Sequence, residues 1–479
     1  MAEIQIPEEY EGEEEIEILF DEDDNLVDPS LMDSDQQTEF NDNLAEFLDD
    51  STLSEISSQI LTNFENDLDS REDWYETFKD GLELLGIQNN PRSEPFEGAS
   101  GVYHPLLAEA VTHFQAQAYK ELLPANGPVD TKVMGASSDP KAMQANRVKD
   151  FMNYQLLYKM EEYDPEMDQM LFFLPLAGSA FKKCYFDPAM GRIVSRFIKA
   201  EDLVVPYSAT DLHTSPRITH RMTMTENDLL KLQLSGFYLD TDMNAPMYGG
   251  DNDSVQSKID EIDGVTRTGD QHDFTLLECH TELDIEGFEH TDSEGEPTGL
   301  ALPYIITVCK DTNDVLAVRR NYIENDPMRK KVEYFTHYKF LPGLGFYGFG
   351  LIHMIGGVTK SATAILRQLI DAGTLANLPA GFKARGLNIQ RSDDPVQPGE
   401  WRDVDTPGGT IRDSFMPLPY KEPSPTLANL LGLLVESGQR FASVMEQNTG
   451  DSNSEAPVGT TVALLEKGQK VISSIHKRM

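Results

Sequence analysis

The stretch Leu351–Ala372, which reads LIHMIGGVTKSATAILRQLIDA, decides how this 479-residue chain is organised. Its apolar residues recur at alternating steps of four and three, at Leu351, Ile355, Val358, Ala362, Ile365 and Leu369. Because an α-helix turns once in 3.6 residues, this spacing places all of them on one stripe. We therefore predict one long helix here and interpret the remaining elements by their position relative to it.

The sequence after this helix is interrupted and then helical again. Residues 374–425 contain eight prolines, which lack the N–H that a helix interior needs. We predict a non-helical stretch there with two strand-like pieces, Gly381–Ile389 and Gly409–Met416. A second helix is predicted over Thr426–Gln447. A Gly/Ser/Asn-rich connection and a third helix follow, and that helix has no end signal at Met479, so we expect a longer protein.

The sequence before the long helix falls into a helical block and a strand-rich block. Helical spacing begins at Leu53 and predicts helices over Glu72–Leu85, His104–Leu123 and Lys141–Met170. The pattern then indicates strands over Phe181–Phe186, Arg192–Ile198, Phe274–Glu282, Tyr304–Cys309, Val315–Asn321 and Val332–Phe340. Between them the polar segment Met243–Asp270 is expected to be a long loop. The fold class is therefore predicted to be α+β.

Charge is distributed unevenly along the chain. The first 50 residues hold 20 Asp or Glu and no Lys or Arg, and the net charge of the whole chain is −43. We expect residues 1–52 to be a solvated acidic leader or a tail that docks onto another assembly component. Binding of DNA through the general surface is excluded, because phosphate contacts need lysine or arginine. A protein that lets DNA slide past is compatible with this charge.

Simple counts along the sequence bear on membrane insertion and on the compartment in which the protein works. No run of 18 apolar residues is present, so no membrane span is expected. The three cysteines, Cys184, Cys279 and Cys309, are far apart in sequence, and we expect each to be a small buried hydrophobic residue in a reducing compartment.

Motifs that would indicate an enzyme are incomplete. Gly343–Gly348 fits G-x-G-x-x-G, but Asp371 lies in the following helix rather than after a second strand, so a plain glycine-rich turn is favoured. Residues 356–361, GGVTKS, resemble the end of a phosphate-binding loop, yet Met354 and Thr359 replace glycines that such a loop needs. His272, Cys279, His280 and His290 lack metal-ligand spacing, and His104 and His113 stand beside an apolar helix face. We expect no catalytic site, no metal and no cofactor.

Several short strings carry a resemblance to a known family. They are SREDW at 70–74, GASGVYHPLL at 98–107, FQAQA at 114–118, PANGPV at 124–129, APVGTT at 456–461 and IHKR at 475–478. Together with the order of the elements, they resemble the portal proteins of tailed phages, most of all those of short-tailed phages. The resemblance covers roughly residues 50–479.

The resemblance implies a portal-type fold with a wing, an α-helical stem, a small α/β clip and a tunnel loop. By that analogy, 53–346 are the wing, 347–373 the first stem helix and 374–425 the clip. The second stem helix is 426–447, the tunnel loop 448–459, and 460–479 begin a long wing helix. The implied function is a homo-oligomeric ring, expected as a dodecamer, at one capsid vertex, assembled in the host cytoplasm. Its implied partners are the large terminase subunit, tail adaptors, major capsid and scaffolding proteins, and double-stranded DNA bound without sequence preference.

The candidate site residues follow from that assignment. For the tunnel loop they are Asp451, Ser452, Asn453, Ser454 and Glu455; for the clip Arg385, Arg391, Trp401 and Arg402; for the stem Lys360, Arg367, Glu436 and Arg440. Two alternatives stay open at this point: another head–tail connector or scaffold-associated structural protein, and an enzyme of DNA packaging such as a terminase or nuclease.

Overall fold

A computed structural model describes residues 39–87, 100–135, 138–187, 190–241, 254–265, 273–291, 296–377 and 421–443. It also describes single positions between 92 and 99, strand backbones between 381 and 417, Ile475 and Met479. The chain divides into two compact units, residues 1–42 and 43–479. In the first, residues 39–42 form a turn closed by a 3.1 Å hydrogen bond from Asp42 N to Glu39 O. All that follows concerns the second unit.

The helices of the second unit lie mostly where the apolar spacing predicts them. They are α1 Asp50–Asp69, α2 Glu72–Glu83, α3 Leu106–Leu122, α4 Asp139–Tyr154, α5 Tyr163–Ala177, α6 Glu226–Leu234, α7 Ser254–Asp263, α8 Leu351–Asn377 and α9 Pro425–Ser443. A π-helical turn, Gln155–Lys159, continues α4. None of the helices described is both long and apolar enough to cross a membrane.

The strands form antiparallel sheets. They are β1 Ser179–Asp187, β2 Arg192–Ile198, β3 Leu203–Val204, β4 Arg217–Thr225, β5 Asp273–Leu283, β6 Leu302–Cys309, β7 Val315–Arg320, β8 Phe335–Lys339, β9 Gly381–Lys383, β10 Asn388–Ile389, β11 Val404–Asp405 and β12 Phe415–Pro417. One sheet has the order β2-β1-β8 and a larger one the order β3-β4-β5-β6-β7. Two short ladders pair β10 with β11 and β12 with β9. The predicted α+β class is confirmed.

The main core lies between the helices and the three-stranded sheet. Phe78 of α2, Phe114 of α3, Leu174 of α5, Phe181 of β1 and Leu351 of α8 all belong to it. The five-stranded sheet is covered on both faces. Leu276 of β5 packs in the cluster that contains Leu229 of α6, and its neighbour Leu277 packs with Phe64 of α1. Successive strand residues point to opposite faces, so one strand serves both layers.

The acidic leader is shorter than predicted. Residues 43–52 were assigned to it, but Asn43, Leu44 and Ala45 are buried and α1 begins at Asp50. The Asn43 side chain accepts a hydrogen bond from Val318 N at 2.9 Å and donates one to Leu316 O at 3.1 Å. It thereby occupies the backbone groups at the edge of β7. The expectation of a solvated tail is wrong for these residues, because a short apolar turn is enough to dock on a sheet edge.

The loop predicted over Met243–Asp270 is also wrong in part, since residues 254–263 form α7. Val255 is fully buried, and Ile259 and Ile262 pack against the main core. Lys258 binds Glu83 of α2 at 2.8 Å. Only three apolar residues mark this helix, and its acidic composition hides their helical spacing.

Smaller differences concern element ends and elements that the pattern did not indicate. Residues 374–377, expected in the proline-rich non-helical stretch, are the last turn of α8, and Thr374 Oγ1 donates to Ile370 O at 2.9 Å. Strands β3 and β4 and helix α6 were not predicted. Cys279 and Cys309 are buried as expected, but Cys184 is exposed, so the expectation is wrong for this residue.

Candidate functional site

The start of the long helix α8 is fixed where the glycine-rich turn before it packs, backbone against backbone, on the end of α5. A Cβ on Gly348 would lie 2.4 Å from Gly178 O, and one on Gly350 would lie 2.3 Å from Leu176 O. Gly178 ends α5 with φ +90°, which a residue with a side chain rarely adopts. The glycines at 348 and 350 are therefore required for close packing of the turn against α5. This is a structural use of the G-x-G-x-x-G string, as predicted.

Arg71 locks the same turn to the N-terminal helices. Its guanidinium donates hydrogen bonds to Ala200 O and Leu203 O, each at 3.0 Å, and to Tyr347 Oη at 2.8 Å. Trp74 stacks on the Tyr347 ring with 4.7 Å between centroids. Arg71 is buried, so these bonds satisfy a charge that would otherwise be costly to desolvate. The joint holds the base of α8 rigidly against α2.

Further along, α8 is fastened to the chain before α3. Thr363 Oγ1 accepts a hydrogen bond from His104 N at 3.1 Å, and the Asp371 carboxylate accepts one from Ser100 N at 2.7 Å. Arg367 donates from Nε to Val102 O at 2.9 Å and lies 4.2 Å from the Tyr103 ring centroid. Asp371 is therefore an anchor inside the helix and not a ribose ligand.

Helix α9 packs beside α8. A Cβ on Gly373, near the end of α8, would meet Pro423 at 3.7 Å, just before α9 begins. Near the other end of α9, a Cβ on Gly438 would lie 2.4 Å from Leu106 of α3. The two long helices thus form a hairpin that rests on α3, and the absence of a side chain at Gly438 lets α9 approach α3 closely.

The four stem candidates lie on this hairpin in different environments. Lys360 is exposed, while the half-buried Arg367 is bound to carbonyl groups. Glu436 and Arg440 form an exposed i,i+4 ion pair at 2.6 Å. The string 356–361 that resembles a phosphate-binding loop lies wholly within α8, so its N–H groups belong to the helix and cannot cradle a phosphate.

The other candidates lie outside what the structure describes. These are the residues predicted for the clip, Arg385, Arg391, Trp401 and Arg402, and those predicted for the tunnel loop, Asp451, Ser452, Asn453, Ser454 and Glu455. Between the end of α8 at Asn377 and residue 421, the segment predicted to form the clip is described only by the strand backbones β9 to β12.

A buried polar cluster, which sequence reasoning missed, joins the two larger sheets. Lys183 of β1 binds both carboxylate oxygens of Glu278 of β5 at 2.6 Å, and His280 Nε2 lies 2.8 Å from the same carboxylate. Burial alone would raise the pKa of Glu278, but Lys183 and His280 outweigh it and hold that pKa below its ordinary value. Burial lowers the pKa of His220 to about 3.

This cluster is structural in character. The described residues contain no group of His, Cys, Asp and Glu side chains arranged to hold a metal ion. Lys183 and Glu278 neutralise each other, and they stand on strands of different sheets. Alternation of charged and apolar residues along β1 and β5 was the available signal, but it does not reveal which strands meet.

Comparisons with known proteins agree with the resemblance. No match is found among curated proteins. A family model described as "Phage SU10 portal protein" matches residues 186–453, more than half of the 479 residues, from the β1–β2 hairpin through α9. SU10 is a short-tailed phage, the group that the sequence strings favoured. With this match and the helix hairpin it contains, the chain belongs to the phage SU10 portal protein family, a family of structural, non-enzymatic proteins at the virion capsid vertex.

Proposed function

We propose that this chain forms a dodecameric ring at one capsid vertex and that double-stranded DNA passes through the ring during packaging and ejection. The observation that carries the proposal is the family match, whose range of residues 186–453 includes α8, the following segment and α9. Family membership implies an oligomeric ring in the capsid. The stoichiometry and the route of the DNA are the finer steps proposed here.

In this proposal α8 and α9 are the two stem helices. Their anchoring to α2 and α3 supports it, because a stem that surrounds moving DNA must not shift with each passing phosphate. The residues before α8, from 53 to 346, act as the wing. A ring made from one repeated head-to-tail contact closes only if each subunit keeps the same shape. The rigid joint at Arg71 and Gly348 serves that requirement.

The charges of the stem candidates also suit passage of DNA. The Arg367 guanidinium is occupied by carbonyl groups, and Arg440 is paired with Glu436. Of the four candidates, Lys360 alone has a side chain without a hydrogen bond or ion pair to a described residue. Each phosphate that a protein neutralises adds affinity and salt dependence. Few available cations on the stem would keep DNA from being trapped.

We assign residues 374–425 to the clip, with Arg385, Arg391, Trp401 and Arg402 as contacts for terminase and later for tail adaptors. Residues 448–459, with Asp451, Ser452, Asn453, Ser454 and Glu455, are assigned to a tunnel loop that faces the DNA. What supports both assignments is the chain order: the first segment connects α8 to α9, and the second follows α9. Major capsid and scaffolding proteins are the proposed partners of the ring's outer surface.

Electron microscopy of the purified full-length protein tests this function. We expect closed rings with a central hole and twelve subunits. An assembly without a hole would favour a different connector, and a monomer that hydrolyses ATP would favour a packaging enzyme. In the ATPase assay, Lys360→Ala serves as the control, since hydrolysis abolished by this change would contradict a purely structural role.

A further inference from the structure

Helix α4 is attached to the rest of the subunit in an unusual way. Asn153 is the one residue of the helix that is buried, and its side chain forms two hydrogen bonds with Val129, to N at 2.9 Å and to O at 3.0 Å. Thr131 Oγ1 donates to Ala145 O at 2.9 Å, and Lys149 binds Asp130 at 2.8 Å. The helix is thus held by polar contacts to the segment 129–131 and not by an apolar core.

The apolar residues of α4 and of the π-helical turn after it point outward. Met143 is 67% exposed, Phe151 61%, Tyr154 46% and Tyr158 72%. With Arg147 they follow the spacing i, i+4, i+8, i+11 and i+15, so they lie along one stripe. Tyr154 and Tyr158 stack on each other with 5.8 Å between centroids. We call these five residues the α4 stripe.

Such a stripe indicates a protein contact. A helix in a globular protein gains most of its stability by burying its apolar face. Here that face is turned away from the residues that hold the helix. Contiguous exposed aromatic residues with arginine among them are typical of the centre of a protein interface. Therefore another surface should cover the α4 stripe in the assembled state.

Charge indicates what covers it. Arg147 lies on the stripe and Lys159 beside it, and both are exposed, as are Lys141 at the start of α4 and the acids Asp139, Asp150 and Glu161. This share of basic residues is high for a chain whose net charge is −43. The outer side of α2 has the opposite character: Glu72, Asp73, Glu76 and Asp80 are all exposed. No hydrogen bond or ion pair connects the described residues of these two helices within one subunit. The basic residues on and beside the α4 stripe are therefore complementary in charge to the acidic side of α2, and neither set is paired with the other within one subunit.

We propose that the α4 stripe of one subunit packs on the acidic outer side of α2 of the neighbouring subunit in the ring. This inference rests on the proposed ring. A ring needs a heterologous interface, in which two different surfaces of the same chain meet and the contact repeats around the axis. The stripe supplies the aromatic anchors, and the lysine and arginine residues beside it select the acidic helix and set the orientation.

The first test removes the anchors. In the full-length protein, Phe151→Asp with Tyr158→Asp should reduce the yield of rings at least about tenfold, because two interface anchors are lost. The circular dichroism of the resulting monomer should match that of wild type. The matched control is Leu230→Asp with Leu234→Asp on α6, where both leucines are likewise exposed; these rings should persist. Rings of wild-type yield from the α4 variant would overturn the proposal.

The second test identifies the acceptor. Lys141→Glu with Arg147→Glu should weaken ring formation, and so should Glu72→Lys with Glu76→Lys. The four changes together should restore it. Failure of the combined variant to restore rings would show that α2 is not the partner surface. If wild-type protein forms no ring at all, the proposed function fails rather than this interface.

A photo-crosslinking residue at Tyr158 gives a readout that does not depend on the stability of a variant. In assembled rings, the crosslinked peptide should come from α2 of another copy, and the product should run as a dimer. In assembled particles, crosslinks from Tyr158 to capsid or scaffolding protein without any to α2 would overturn the proposal.

Discussion

Lys183 and Glu278 show how single residues hold this fold together. Each side chain is almost fully buried, with 11% and 13% of its surface exposed, and the pair connects β1 of one sheet to β5 of the other. Both oxygens of the carboxylate are bound, and His280 contributes a further contact. A buried pair of this kind adds little net stability when complete, but leaving one charge alone is costly.

Replacing one member of this pair should therefore destabilise the protein more than replacing both. We expect Glu278→Gln to lower the free energy of unfolding by about 3–5 kcal/mol, since Lys183 then lacks its counter-charge. The double variant Lys183→Met with Glu278→Leu should lie closer to wild type. Urea unfolding of all three proteins measures this. Equal losses in the single and double variants would show that the pair is not a buried ion pair.

The glycine-rich turn offers a second test with a built-in control. Gly348→Ala should lower the free energy of unfolding by several times the roughly 1 kcal/mol that is typical of a point substitution. The reason is that its Cβ would lie 2.4 Å from the backbone of Gly178. Gly345→Ala in the same motif should be tolerated, since nothing lies within 4 Å of its Cβ. Thermal unfolding distinguishes the two. A nucleotide-binding loop would not show this selective sensitivity.

At the scale of an element, the short turn Leu44–Glu46 protects the edge of the five-stranded sheet. An uncovered edge strand exposes backbone groups that pair readily with other chains. Asn43, the N-cap of this turn, places its amide against β7 and occupies two of those groups. The folded unit accordingly begins at Asn43, seven residues before α1.

Two truncations test this boundary. Removal of residues 1–42 should leave the unfolding midpoint and ring formation essentially unchanged, because the second compact unit remains intact. Removal of residues 1–49 also deletes Asn43, Leu44 and Ala45, and should cost at least about 1–3 kcal/mol for the buried backbone groups left without partners. It should also promote aggregation through β7. Indistinguishable behaviour of the two truncated proteins would contradict the docking of this turn.

For the whole molecule, the strong negative charge is the property most closely tied to function. Family membership confirms a structural, non-enzymatic protein of the virion capsid vertex. A net charge of −43, of which −20 lies in the first 50 residues, keeps the general surface from retaining DNA. In the proposed ring, retention or release of DNA would then depend on the few residues that face the channel.

The tunnel-loop proposal makes a quantitative test of this idea possible. Asp451→Lys with Glu455→Lys should leave rings intact but shorten the packaged DNA, because new phosphate contacts would form around the whole ring. Higher salt should partly restore the length by screening those contacts. The measurement is packaged DNA length per particle at two salt concentrations, with Ser452→Ala and Ser454→Ala as neutral controls. Equal lengths under all conditions would place this loop away from the DNA.

Local pattern determined a large part of this protein. The stripe from Leu351 to Leu369 specified α8, proline density excluded a long helix after it, and charge excluded a general DNA binder. These inferences depend only on residues close to one another in the sequence, so they can be made without knowledge of the fold. Helix α7 was missed for the same reason: its three apolar residues are meaningful only once α2 provides a surface to bury them.

Tertiary structure alone decided which charged residues are available. Arg71 and Arg367 look like ordinary surface cations in the sequence, yet both are bound to carbonyl groups of distant segments. Lys183 finds Glu278 across 95 residues. The outward direction of the α4 stripe likewise cannot be predicted from periodicity. Periodicity shows that the apolar residues share one face of the helix, but not whether that face is turned towards the core. Periodicity is a property of one element, whereas burial and pairing depend on which elements meet.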